Sequence, residues 1–166
     1  MDIRHEMLEE FLEELSTTKV LLDRVPEDKL EWQPHPRSMA LGQLAMHLAT
    51  LPGNMANISQ GDSFDLSART RAVSVPKTSA EVLTAFEQST RDVESMFTQT
   101  TEERISAFWR LMDGEREILA RPRFKIWRSF LLNHWYHHRG QLTVYLRLLD
   151  IPIPSIYGPS ADERPF

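Results

Sequence analysis

The chain has 166 residues and a formal net charge of −5, from 19 Lys and Arg against 24 Asp and Glu. This length predicts one domain over residues 1–166, and the 41% hydrophobic content is enough to fill a single core. The negative charge disfavours a dedicated nucleic-acid binder, which usually needs a strong positive field. The absence of cysteine excludes disulfides, thiolate zinc sites and cysteine nucleophiles.

Nothing in the sequence indicates a membrane or a secretion route. No stretch of 18 apolar residues occurs, so we expect no membrane-spanning helix. The segment from Met1 to Glu14 is acidic and lacks the basic and then apolar order of a signal peptide. We therefore expect a cytoplasmic protein.

The spacing of apolar residues predicts a first helix that ends at Pro26 and a second helix that begins after Ser38. The proline-rich segment between them is predicted to be a loop. Pro52-Gly53 predicts a kink before the second helix ends near Ile58. The apolar faces of these two helices comprise Leu8, Phe11, Leu12, Leu15, Leu22 and Val25, and Leu41, Leu44, Ala45, Leu48 and Ala49.

The third helix is predicted after a polar loop over residues 60–77. Thr78-Ser79-Ala80-Glu81 matches a capping box, in which the first and last residues satisfy backbone N–H groups reciprocally. The buried stripe of this helix is predicted to be Val82, Leu83, Phe86, Val93 and Phe97.

Asp113-Gly114 lies between two apolar-rich runs, which is typical of a two-stranded hairpin. An irregular loop is an equally good interpretation. Pro122 suits the first turn of a fourth helix, which is expected to run to Pro152. Together the elements predict an all-α protein, an antiparallel four-helix bundle with the optional hairpin between helices 3 and 4.

The histidines carry the strongest chemical signal, because the common phosphate-binding, serine-hydrolase and H-E-x-x-H motifs are missing. His134 and His138 are four residues apart, so they lie one turn apart on one helical face. His47 shares the inward stripe of the second helix with Leu44. Three histidine ligands would leave a coordination position open on a metal ion, which is the catalytic rather than the structural zinc pattern.

Spacing alone leaves a metal site and ordinary core histidines about equally plausible. A lone inward histidine is usually a hydrogen-bonded core residue, and an i, i+4 pair also arises by chance. His137 is three residues from His134, yet the apolar row through His134 and His138 places it on a flank. His5, near the terminus, and His35, in the proline loop, are expected in solvent.

Three further groups of residues have a plain structural interpretation. The basic run at the start of the fourth helix is expected to be a solvated face, and the tryptophans are expected in the core rather than around a pocket. Gly140 either permits close helix approach or is a simple surface glycine. The basic residues are Arg121, Arg123, Lys125 and Arg128, and the tryptophans are Trp32, Trp109, Trp127 and Trp135.

Two motifs resemble those of a known family. The run from His134 to Leu142, HWYHHRGQL, resembles the H-x-x-x-H-R-G-Q-L signature of the DinB/YfiT-like family. Gly42 to Leu48, GQLAMHL, resembles the second-helix histidine motif of that family. The segment after the first helix and the tail from Ile153 to Glu163 also resemble the corresponding segments of this family, so the resemblance spans nearly the whole chain.

The resemblance implies a four-helix bundle, usually a homodimer, with a divalent metal held by three histidines that map onto His47, His134 and His138. Zinc and nickel are the expected ions, since both accept imidazole. Some members are similar to thiol S-transferases and others to metal-dependent hydrolases. A small-molecule substrate, such as a low-molecular-weight thiol, would follow, whereas the family name implies no DNA binding. The alternative is a non-catalytic metal-binding stress-response protein with the same site.

Two neighbouring features add expectations of their own. Arg139 or Gln141 could orient a ligand, although outward solvation is an equally good interpretation of Arg139. The fourth helix carries aromatic residues on more than one side, which favours a homodimer. These are Trp127, Phe130, Trp135 and Tyr136.

Overall fold

Four long helical segments form the body of the protein in the computed structural model, which describes residues 2–68 and 75–164. Helices α1 (Ile3–Leu22), α2 (Leu41–Ile58) and α3 (Ser79–Gln99) are followed by the short α4 (Glu102–Ser106). The fourth long segment comprises α5 (Arg123–Ile126), a π-helical stretch (Trp127–Asn133) and α6 (His134–Leu148). Helix α2 packs against α3 and α6, and α1 packs against the same two helices. The predicted bundle is confirmed.

The all-α prediction is incomplete, because the chain also forms a small sheet. Strands β2 (Phe108–Asp113) and β3 (Arg116–Pro122) make an antiparallel hairpin, which decides between the two interpretations of this segment. Gly114 in its turn has φ of +60°, a conformation that glycine adopts without steric cost. Strand β1 (Ser63–Asp65) pairs in parallel with β2 and lies inside the predicted polar loop over 60–77. Residues 69–74 of that loop lie outside the described residues.

The start of α3 follows the predicted capping. Thr78 is the N-cap, and its hydroxyl accepts a hydrogen bond from the Glu81 N–H at 3.2 Å. The Glu81 carboxylate accepts from the Lys77 N–H at 3.1 Å rather than from Thr78, so only half of the capping box forms.

The predicted Ser38 cap of α2 is wrong, because the helix begins at Leu41 and its N-cap is Ala40, two residues after Ser38. The preceding loop satisfies the first helical N–H groups instead. Leu41 N–H donates to the Trp32 carbonyl at 2.8 Å, and Gly42 N–H donates to the Leu30 carbonyl at 2.9 Å. A loop folded back on the helix start thus replaces a side-chain cap.

The predicted solvated basic run is wrong at Arg123, which is only 1% exposed. Its guanidinium donates to the carbonyls of Ser59 at 2.9 Å, Arg104 at 2.8 Å and Gly61 at 2.8 Å. It also pairs with Asp62 at 3.0 Å. Arg123 therefore joins the end of α2, the following loop and α4.

Arg139 is also buried, so the interpretation of outward solvation is wrong. Its guanidinium pairs with the Glu14 carboxylate of α1, donates to the Thr18 hydroxyl at 3.3 Å and lies 5.0 Å from the Tyr136 ring. These contacts dock the fourth helical segment on α1 and leave no direct role for Arg139 at the histidines.

Trp127 and Trp135 are both fully buried within this chain. The Trp127 indole N–H donates to the Ser59 hydroxyl at 2.9 Å. Since the bundle itself covers both rings, they do not require a second copy, and the homodimer stays a prediction.

Among the described residues, no helix combines the length and apolarity needed to cross a membrane.

Candidate metal centre

Three histidines from two helices meet at one place in the bundle. His47 comes from α2, and His134 and His138 come from the first turns of α6. One ring nitrogen from each lies within 4.8 Å of the other two. The Nε2 atoms of His134 and His138 are 2.8 Å apart, and the His47 ring centroid lies 4.5 Å from that of His138. The structure thus brings the predicted residues together, while their binding of metal stays a prediction.

Gln141 holds His138 in a defined orientation. Its Oε1 lies 2.9 Å from His138 Nδ1. Because an amide oxygen can only accept, Nδ1 carries the proton and Nε2 presents its lone pair toward His134. Burial lowers the pKa of His138, opposed by the hydrogen bond to Gln141, so the neutral ring is favoured near neutral pH.

This donor set fits a divalent ion. Two imidazole nitrogens 2.8 Å apart need a proton or a cation between their lone pairs. Three imidazoles, one of them oriented by an outer hydrogen bond, are typical of zinc and related ions. Within residues 2–68 and 75–164, these three are the group with metal-ligand geometry.

A proline in α2 helps to fix the distance between the two helices. Pro52 has no N–H, so the carbonyl of Leu48 loses its usual partner four residues on. The Trp135 indole N–H donates to that carbonyl at 3.0 Å. Leu48 and Trp135 are the immediate neighbours of His47 and His134, and this bond therefore places the two histidines opposite each other.

A cavity of about 450 Å³ opens beside His47 and His134. Its walls are mostly apolar and come from α2, the small sheet and the π-helical stretch. Helix α2 contributes Leu51, Met55 and Ile58, whereas β1, β2 and the π-helical stretch contribute Phe64, Trp109, Leu111 and Phe130. The sequence analysis did not predict this wall, because β1 is only three residues long and no sequence pattern indicates that it pairs with β2.

Comparison with known proteins decides the family. The sequence model described as the DinB family matches residues 1–164. The chain belongs to the DinB family. A Bacillus subtilis (strain 168) protein described as "Uncharacterized protein YrdA" is 26% identical over 155 residues, which span 90% of this chain and 85% of that protein.

Solved structures of DinB-like proteins share the fold. One from Bacillus cereus ATCC 10987 has a TM-score of 0.71 and 22% identity, with 91% of this chain and 95% of that chain covered. Another, YjoA from Bacillus subtilis, has a TM-score of 0.67 and 18% identity, with coverage of 92% and 97%. At these identities the likeness supports the DinB fold alone.

The remaining histidines of this DinB-family chain lie in solvent, as predicted. His5 pairs with Glu9 at 3.0 Å on the exposed side of α1, and His35 accepts from the Arg37 N–H at 3.1 Å. His137 is exposed on the flank of α6.

Gly140 is exposed too, and no described atom lies within 4 Å of the position where its Cβ would be, so it is a surface glycine.

Gln141→Leu is expected to weaken zinc affinity about tenfold, because outer hydrogen-bond partners of metal-binding histidines typically contribute about 10- to 100-fold. The substitution removes the acceptor for His138 Nδ1–H and frees the ring to rotate. Competition titration with a chromophoric chelator measures the change. Thr143→Val, on the same helix outside the site, is the matched control and should bind zinc like the unmodified protein.

Proposed function

We propose that this protein is a divalent-metal-dependent enzyme of the thiol S-transferase or hydrolase type. Its metal, zinc or nickel, would be held by His47, His134 and His138. The observation that supports this most is the meeting of three imidazoles beside a cavity, with Gln141 fixing the tautomer of one of them. A core histidine cluster without function needs no such cavity.

The chain's own residues define what the site would do. A bound ion would lower the pKa of a water or thiol and stabilise the attacking anion. Because the chain has no cysteine, any thiol comes from a low-molecular-weight substrate. The mostly apolar walls lower the local dielectric, which strengthens electrostatic interactions at the histidines.

Chelation tests the proposal. Turnover in a panel of thiol-transfer and ester- or amide-hydrolysis substrates is expected to fall to the uncatalysed rate with EDTA and to return when zinc or nickel is added. The control is a His47→Ala protein, which should stay inactive after metal is restored. Turnover that persists without metal contradicts the proposal, and tight metal binding without turnover favours the non-catalytic alternative.

The oligomeric state, the partners and the cellular location belong to the same proposal. The family resemblance supports a homodimer, and Val144 and Leu148 form an exposed apolar pair one turn apart on α6. The net charge of −5 supports the absence of a nucleic-acid partner. A cytoplasmic location would suit a small thiol as co-substrate, since the cytoplasm keeps thiols reduced.

A further inference from the structure

The cavity beside the histidines extends along one face of α2. Its apolar lining residues on this helix follow His47 at steps of three or four residues, so they share a face with that histidine. They are Leu51, Met55 and Ile58. At a rise of 1.5 Å per residue, Met55 lies about 12 Å from His47 along the helix axis. The cavity therefore runs from the candidate metal centre past at least two helical turns.

The fourth helical segment forms the opposite wall of this cavity. Phe130 precedes His134 by four residues and lines the same cavity. The indole hydrogen bonds described above, to the middle of α2 and to Ser59 at its end, hold this segment antiparallel to α2. The step from His47 to Met55 and the step from His134 to Phe130 therefore lead away from the histidines in the same direction.

Several wall residues present surface that a ligand can contact. Met55, Phe64 and Phe130 are half-buried rather than fully enclosed by the core. Asn54 also lines the cavity, and its exposure indicates an opening to solvent at this point of α2. A ligand can therefore reach the apolar wall without displacing the core.

The cavity has two chemically different parts. At one end, His47 and His134, together with His138, can hold a cation whose open positions accept an oxygen, nitrogen or sulfur atom of a ligand. Beyond the histidines the walls are mostly apolar, and a volume of about 450 Å³ lies in the range of small-molecule sites. A ligand with a polar head and an elongated apolar body matches both parts, because burial of each methylene group is favourable.

We propose that Leu51, Met55 and Phe130 bind the apolar body of the substrate, an alkyl or aryl group that extends along α2, while the polar group that reacts lies at the histidines. These side chains would select substrates by the length and apolarity of that body. The inference rests on the proposed function, since it places the reacting group at the metal. It adds the class of substrate, which the three histidines alone do not determine.

The test uses hydroxamates that share a zinc-binding head and differ in chain length, namely acetohydroxamate, butanohydroxamate, hexanohydroxamate and octanohydroxamate. Their dissociation constants are measured by isothermal titration calorimetry on the full chain, both zinc-loaded and metal-free. The proteins compared are the unmodified protein, Phe130→Gln and Phe108→Gln. Phe108 is exposed on β2 and does not line the cavity, so its variant is the matched control.

In the zinc-loaded protein, affinity is expected to rise about two- to fourfold with each added methylene group, the usual gain from burial of that group. Phe130→Gln should lower the affinity for octanohydroxamate about 3- to 10-fold, because a polar amide replaces part of the apolar wall. The same variant should leave acetohydroxamate binding within about twofold, since that probe is too short to reach the wall. Phe108→Gln should change neither affinity.

An affinity that does not rise with chain length would overturn the inference, as would a Phe130→Gln variant that weakens the shortest and the longest probe equally. If acetohydroxamate binding still depends on zinc in that case, the proposed function stands and only the substrate class is wrong. A dependence on chain length that is the same with and without zinc would contradict a head group held at the metal, and would overturn the proposed function together with the inference.

A second measurement covers the case in which Phe130→Gln does not fold. In the unmodified protein with isotope-labelled methionine methyl groups, the NMR resonances of Met55 and Met7 are assigned from the two Met→Leu variants. Octanohydroxamate is expected to shift the Met55 resonance more than acetohydroxamate does. Met7 is buried and does not line the cavity, so its resonance should respond to neither probe. A Met55 resonance that responds alike to both probes rejects the inference.

Discussion

Alanine at His47, His134 or His138 is expected to lower zinc affinity by more than about 100-fold, since loss of an outer-shell partner alone typically costs about 10- to 100-fold. The three ring nitrogens lie within 4.8 Å of one another, and removal of any one leaves two ligands that cannot fix the geometry of an ion. Metal content after gel filtration and a chelator competition titration measure the loss. The fold should survive, because the core residues do not depend on the metal.

His137→Ala is the sharpest control, because its ring lies 5.0 Å from that of His138 yet points to the exposed flank. His5→Ala and His35→Ala are further controls, because each removes one histidine that lies outside the three-histidine group. All three variants should keep full metal content. If His137→Ala empties the site while His138→Ala keeps it full, the choice of helical face is wrong. If all six variants keep the metal, the three-histidine site is wrong.

The same titration repeated against pH gives an independent check. Protons compete with metal for ring nitrogens, so affinity should fall as the pH drops below about 6.5. Burial lowers the pKa of His138, which keeps this ring neutral to a lower pH than an exposed histidine. An affinity that does not change between pH 8 and pH 5 would mean that imidazoles are not the ligands.

Arg123→Ala is expected to lower the free energy of unfolding by about 3 kcal/mol, because three backbone carbonyls, one buried and two partly buried, lose a charged donor at once. The acceptors belong to Ser59, Gly61 and Arg104, and the side chain is 1% exposed. The Asp62 contribution is small, since that carboxylate is 78% exposed and screened by water. Urea denaturation followed by circular dichroism measures the change.

Arg121→Ala provides the comparison, because Arg121 lies two residues away on the exposed side of β3. It should change the free energy of unfolding by less than about 0.5 kcal/mol. Arg123→Lys should fall between the two, since a single ammonium cannot reach all the acceptors of the planar guanidinium. Equal stability of Arg123→Ala and Arg121→Ala would mean that this buried network has no net stabilising effect.

The helices and the faces that carry the candidate ligands could be predicted from the sequence, because each depends on residues close together in the chain. The hairpin was one of two interpretations that the sequence left open. The spacing of apolar residues predicted the long helices, and Asp113-Gly114 indicated the turn of the hairpin. The four-residue step from His134 to His138 placed both rings on one face. Periodicity also identified the inward side of α2 and so predicted that His47 would meet them.

Contacts between residues far apart in the sequence could not be predicted, because they depend on how the elements pack. In the sequence, nothing distinguishes Arg123 from the exposed basic residues near it. Its burial depends on a hydrogen bond to the Ser59 carbonyl, which lies 64 residues earlier in the chain. The pairing of β1 with β2, the bond from Trp135 to Leu48 and the unpartnered indole of Trp109 are likewise set by packing. Local propensity fixes backbone geometry within a turn or two, whereas burial and hydrogen-bond satisfaction depend on which distant segments come together.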